Sequence, residues 1–132
     1  MRLEVTRRSD LAVRVLHQLA RAEGRTKGSA LADAVATTPG FVAHVMTPLV
    51  RRRWVSSEPG PSGGYRLEVD LAEVSLLDVI EAVEGPTDTD RCVLADRTCD
   101  AAGTCALHVP WRRARAQLLD ELAATAVGTV PA

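Results

Sequence analysis

Hydrophobic positions recur at helical spacing in the first third of the chain, alternate in the middle, and return to helical spacing at the end. Over residues 6–23, Leu11, Val15 and Leu19 repeat every four positions, with Ala12 and Leu16 widening the stripe. This pattern predicts an amphipathic helix. Residues 24–27 read as a polar turn, and Ser29 as the N-cap of a short helix over 30–36 that carries Leu31 and Val35. After the turn Thr37–Thr38–Pro39–Gly40, the residues Phe41, Val42, Val45, Met46, Leu49 and Val50 mark a third helix, over 40–53. Pro48 inside it removes one backbone bond at a cost of about 3 kcal/mol unless relieved, so a kink or an early end is expected there.

The period then changes. Residues 54–58 and 65–69 flank Pro59–Gly60–Pro61–Ser62–Gly63–Gly64, and Tyr65, Leu67 and Val69 alternate with Arg66 and Glu68. Two short strands joined by a wide glycine- and proline-rich tip are predicted. Ser75 with Asp78 forms a capping-box pattern before a helix over 76–84, which Gly85–Pro86 ends. Residues 86–107 show no period, and a stretch that long is usually kept for a purpose. A last helix over 108–124 places Trp111, Leu118 and Leu122 on one stripe, with Ala114 and Thr125. The chain thus divides into residues 1–70 and residues 71–132, expected to pack as one unit.

Charge sharpens this division. Eleven basic and five acidic residues in positions 1–66 give that half a net +6, while the rest carries −7. A basic half beside an acidic half fits one nucleic-acid face. Three helices followed by a hairpin is the order of a winged helix-turn-helix, mainly α with a small β wing. There the third helix enters the major groove. Thr38, Gly40, Phe41, Ala43 and His44 are the candidates for base edges, with Phe41 equally readable as core. Arg51, Arg52 and Arg53 read as phosphate contacts. Gly63 and Gly64 would let wing backbone approach DNA, with Arg66 behind them; an ordinary glycine turn is the other reading.

All three cysteines fall in residues 86–107, as Cys92, Cys99 and Cys105, with His108 three positions after the last. No apolar run is long enough to cross a membrane, and the start MRLEVTRRSD lacks a secretory pattern. A cytoplasmic protein is expected, where clustered thiols lean to metal or redox chemistry rather than structural disulfides. Thiolates are soft donors suited to iron–sulfur clusters and zinc. The gaps of six and five residues are wider than structural zinc sites usually use. No Cys–His–Asn pattern and no phosphate loop stands out, so an enzyme is not expected.

Taken in order, these segments resemble the Rrf-two family of bacterial winged-helix repressors, with its IscR-like and NsrR-like members. The resemblance spans nearly the whole chain: the opening Met1–Arg2–Leu3, Ser9–Asp10–Leu11–Ala12–Val13–Arg14, the wing Gly60–Pro61–Ser62–Gly63–Gly64–Tyr65, Leu76–Leu77–Asp78–Val79–Ile80, and the three-cysteine loop. It implies a homodimer joined through the last helix, two recognition helices reading a palindromic operator in double-stranded DNA, and an iron–sulfur cluster on Cys92, Cys99 and Cys105. The first cysteine gap is one residue longer than the family's. The fourth ligand is either His108, as in 2Fe–2S members that regulate cluster biogenesis, or Asp10 from the other subunit, as in 4Fe–4S nitric-oxide sensors. The sequence around Asp10 favours 4Fe–4S and a repressor that senses nitric oxide or redox stress. A sensor of iron or cluster supply, and a zinc-stabilised DNA-binding protein without a sensing role, are the alternatives.

Overall fold

The computed structural model describes residues 2–87, 91–94, 98, 99 and 105–131. Thr6 starts the first helix: its hydroxyl oxygen accepts from the Ser9 amide at 3.2 Å, and α1 (Arg7–Arg21) follows. The apolar stripe read from the sequence is the buried one, with Leu11, Ala12, Val15, Leu16 and Leu19 all inside. α2 (Gly28–Ala34) begins two residues before the expected start. Lys27, not Ser29, holds the cap position and makes no side-chain cap bond. Burial of Leu31 and Ala32 against the core holds this short helix, and tertiary packing of that kind outweighs local capping.

α3 (Pro39–Arg51) starts at the Thr38 cap, whose oxygen accepts from the Phe41 amide at 3.2 Å. Pro39 sits in the first turn, where a missing N–H costs nothing. The helix runs through Pro48 and ends at Arg51, two residues earlier than expected. Arg53 adopts a left-handed φ of 60°, and the Trp54 amide reaches back to the Leu49 carbonyl at 3.2 Å. That reversal ends the helix and turns the chain into the hairpin.

β1 (Val55–Glu58) pairs antiparallel with β2 (Gly64–Leu67), Val55 opposite Leu67 and Glu58 opposite Gly64. The supposed turn before α2 contributes a third edge. Thr26 and Tyr65 exchange both backbone bonds at 2.8 Å. Gly63 and Gly64 are demanded by this packing. A Cβ on Gly63 would lie 2.1 Å from the Glu58 carbonyl oxygen, and one on Gly64, at φ +132°, 2.6 Å from that of Thr26.

α4 (Leu76–Glu84) carries the predicted capping box in full: the Ser75 oxygen accepts from the Asp78 amide at 3.0 Å, and the Asp78 carboxylate from the Ser75 amide at 2.9 Å. It packs along α1 and α3, burying Val79 and Val83. α5 (His108–Ala124) lies against α4. Its half-buried positions include Trp111, Arg115, Leu119 and Leu122, while Leu118, from the predicted apolar stripe, is 49% exposed. The chain then folds back. Val127 is fully buried, its amide donates to the Val74 carbonyl at 2.8 Å, and its carbonyl accepts from His17 Nε2 at 3.0 Å. Among the described residues no helix is long and apolar enough to cross a membrane.

Candidate metal centre and nucleic-acid interface

The three cysteines converge. The Sγ atoms of Cys92, Cys99 and Cys105 all lie within 4.8 Å of one another. Cys105 Sγ stands 3.8 Å from both Cys92 Sγ and Cys99 Sγ. The Leu94 amide points at Cys92 Sγ from 3.4 Å, an N–H···S contact of the kind that stabilises a thiolate. Hydrogen bonding to Cys92, the largest influence, pushes the Cys99 thiol above its ordinary value. A metal must displace the thiol protons on binding.

The sulfurs face a cavity of about 380 Å³ at the start of α5, also lined by Arg91, His108, Trp111, Arg112 and Arg115. The arginines were given no role from the sequence, and Trp111 was read only as part of the apolar stripe of the last helix. The signal was present: 108, 111, 112 and 115 share one helical face. Of the two fourth-ligand candidates, His108 lines the cavity but does not join the sulfur cluster. Asp10 is exposed in the first turn of α1 and is not among the lining residues of its own chain.

Three soft donors at this spacing fit a thiolate-bound metal. Two thiolates on one tetrahedral ion with bonds near 2.3 Å are separated by about 3.8 Å, the distance observed here twice. Two sides of the triangle therefore match cysteines on a single metal atom. A cluster taking one cysteine per iron requires it to open.

The expected DNA face is set by α3 and the hairpin. Gly40, Ala43 and His44 are exposed on α3, and Gly40 has nothing within 4 Å of where a Cβ would stand. Thr38 is exposed but already caps the helix. Phe41 is half-buried, packs on the core, and stacks with His44 at 6.5 Å between ring centres. It serves the core and the surface at once. Arg51, Arg52 and Arg53 are exposed where α3 ends, with the Arg52 guanidinium 5.6 Å from the Trp54 ring centre. Such stacking orients a cation without neutralising it.

Arg66 on β2 is exposed and pairs with Glu68 at 2.9 Å. Ser56 donates to the same carboxylate at 2.6 Å. These two bonds, Ser56 first, hold the Glu68 carboxyl below its ordinary range. Arg25, overlooked in the sequence, braces the wing from below. Its guanidinium donates to the Gly64 carbonyl at 3.3 Å, to Ser56 Oγ at 3.2 Å and to Glu58 at 3.0 Å. Gly63 and Gly64 thus shape the wing, whatever their approach to a ligand.

Comparison with known proteins agrees with this architecture. A model of the Rrf2 family, described as iron-dependent transcriptional regulator, matches residues 5–131. A Mycobacterium tuberculosis protein that carries the name of an HTH-type transcriptional regulator, MT1325, is 32% identical over 130 residues, covering 97% of this chain and 81% of its own. The HTH-type transcriptional regulator IscR of Photorhabdus laumondii is 33% identical over 72 residues, which cover 54% of this chain and 43% of its own. Among solved structures, CymR, titled the global cysteine regulator of B. subtilis, superposes with a TM-score of 0.74 at 23% identity, covering 96% of this chain and 95% of that one. These relatives are regulators rather than enzymes. A winged helix with a DNA-reading order of elements, matched from end to end by the family model, identifies this chain as a transcriptional regulator of the Rrf2 family.

Proposed function

We propose that this regulator is a repressor whose DNA binding is set by an iron–sulfur cluster on Cys92, Cys99 and Cys105, and that it senses nitric oxide or redox stress. The observation that carries this reading is the meeting of three soft thiolate donors at one cavity beside α5, in a chain whose family model is described as an iron-dependent transcriptional regulator. An iron–sulfur cluster supplies a centre whose iron reacts with small molecules and electrons. Three cysteines leave one position for a further ligand, and Asp10 of the second subunit is the favoured donor, with His108 the other. A carboxylate is the weaker iron ligand, which suits a centre that must react.

DNA engagement rests on α3 and the wing of each subunit in a cytoplasmic homodimer, reading a palindrome. The exposed side chain of Leu118 on α5, 49% accessible, supports a second copy packing there. Change at the centre alters DNA binding only if the two states of the protein differ in affinity for the operator.

The sulfur spacing favours one further reading, a single tetrahedral ion such as zinc. Isolation without oxygen, followed by visible and paramagnetic-resonance spectra and iron and sulfide counts, separates them. A 4Fe–4S signature that collapses with nitric oxide supports the sensor with Asp10. A stable 2Fe–2S signature moves the fourth ligand to His108 and the role to iron or cluster supply. Zinc alone rejects both.

A further inference from the structure

The face that α3 turns outward is chemically sparse. Gly40, Ala43, His44 and Thr47 are exposed, and their spacing puts them on one stripe that runs on to Arg51. Val42, Val45, Met46 and Leu49 fill the opposite side and are buried. Before Arg51 the helix holds no arginine, lysine, asparagine or glutamine. Those are the side chains that make the paired hydrogen bonds by which guanine and adenine are most often selected. Two polar side chains remain on the stripe, the imidazole of His44 and the hydroxyl of Thr47.

Both are already constrained. Thr47, overlooked in the sequence, donates its hydroxyl proton to the Ala43 carbonyl at 3.1 Å. A hydroxyl has a single proton, so Thr47 has none left for a base. The same bond holds its side chain in one rotamer, with the methyl as the other branch. One turn back on the stripe stands the methyl of Ala43. His44 lies against the Phe41 ring, 6.5 Å between centres and 19° between planes, and Phe41 packs on the core. The imidazole is thus exposed and held in a set plane. Gly40 fits the same picture. Nothing stands within 4 Å of where its Cβ would be, so packing does not require glycine there. A bare backbone lets the first turn of α3 come close to a groove.

From this we infer that the stripe reads thymine methyl groups, with Ala43 and Thr47 making the contacts and Thr47 a specificity-determining residue. The C5-methyl of thymine is the apolar group that the major groove presents, and methyl-bearing side chains are its partners. A single hydrogen bond from His44 to a purine N7 is satisfied by adenine and guanine alike, so it does not separate A·T from G·C. The two methyl-bearing side chains supply that separation. The pairs facing the middle of α3 are therefore A·T, with the thymine methyl against the helix. The inference rests on the reading of α3 as the helix that enters the groove, and it is independent of the metal centre.

Uracil in place of thymine removes the C5-methyl and nothing else, and this tests the inference. The DNA comes from selection out of a random duplex pool, with the full chain isolated without oxygen and, in parallel, treated with chelator; the form that enriches a sequence is carried forward. Each thymine of the enriched half-site is then replaced by uracil in turn. Binding is expected to weaken by about fourfold for each contacted methyl, the worth of one buried carbon. Thr47→Ser keeps the hydroxyl and loses the methyl, and is expected to stop distinguishing thymine from uracil at one of these positions. Thr47→Val keeps the methyl and loses the hydroxyl, and is expected to go on distinguishing them, which a hydroxyl contact would not allow. Uracil that binds as well as thymine throughout, or a thymine preference that Thr47→Ser leaves unchanged, overturns the inference. An enriched sequence whose affinity is untouched by both His44→Ala and Thr47→Lys removes α3 from the groove and the inference with it, as does the enrichment of no sequence by either form.

Discussion

α1 and α5 are nearly the same length, 15 and 17 residues, and are held in opposite ways. α1 has a side-chain cap at Thr6 and buries eight residues. α5 follows Leu107, which makes no side-chain cap bond, and among the described residues buries none of its own. One helix is ordered by the core it helps to form. The other touches the body along a half-buried stripe and presents Val109 and Leu118 to solvent. A helix placed like this has little within its own chain to hold it, which fits the metal proposed at its first turn and the second copy proposed along its length. The difference teaches where stability is kept: the helix-turn-helix half is fixed by its own core, and the last helix is not.

The largest effect should come from the thiol centre. Cys99→Ala is expected to abolish cluster or metal uptake, read as loss of the thiolate absorption bands, while the thermal unfolding of the metal-free protein stays near wild type because the winged helix has its own core. Uptake at wild-type stoichiometry would break the ligand assignment.

Core and stripe should then differ in size. Leu16→Ala, at a fully buried position, is expected to cost about 2–5 kcal/mol in denaturant unfolding. Leu118→Ala is expected to cost the single chain no more than about 0.5 kcal/mol and instead to weaken self-association in sedimentation. Equal losses in unfolding would erase the contrast between α1 and α5.

Smaller again is the contribution of one phosphate contact. Arg52→Ala should weaken binding about equally on unrelated DNA duplexes and lower the slope of log K against log salt by about 0.9. Loss at a single base pair would instead make Arg52 a reader.

The smallest effect concerns pH. Glu68 is depressed by hydrogen bonds from Ser56 and then Arg66. Its contribution to the wing is therefore present above the ordinary carboxylate range and lost as pH falls through its lowered folded value. A carbon-13 titration placing the Glu68 midpoint at or above that of an exposed glutamate would show that these bonds do not hold in solution.

Much of the fold was legible because local pattern and packing agree. The stripe on α1, the box at Ser75 and Asp78, and the stop at Gly85 each state locally what the structure does. α2 was legible as an element but not at its edge: Ser29 has the chemistry of a cap, yet packing of Leu31 and Ala32 moved the start to Gly28. Thr26 was hidden because its partner Tyr65 lies 39 positions away, and no local pattern announces a two-bond bridge. The convergence of the cysteines was readable from their crowding, whereas the arginines on the cavity wall became meaningful only once α5 was oriented. The stripe on α5 was legible, but not which of its positions meet the body: Trp111 and Leu122 are half-buried and Leu118 is exposed. The bonds of Glu84 to Ser9 and of Glu81 to Thr87 were beyond sequence reading, since each depends on how the chain is folded around the end of α4.

The return of the chain after α5 bears on how the protein is made. Val127 completes a core begun by α1, and its carbonyl occupies His17. During synthesis the DNA-reading half emerges from the ribosome first, yet the side of α1 that carries His17 stays uncovered until Val127 has been added. The order in which the chain is made is therefore not the order in which its interior closes.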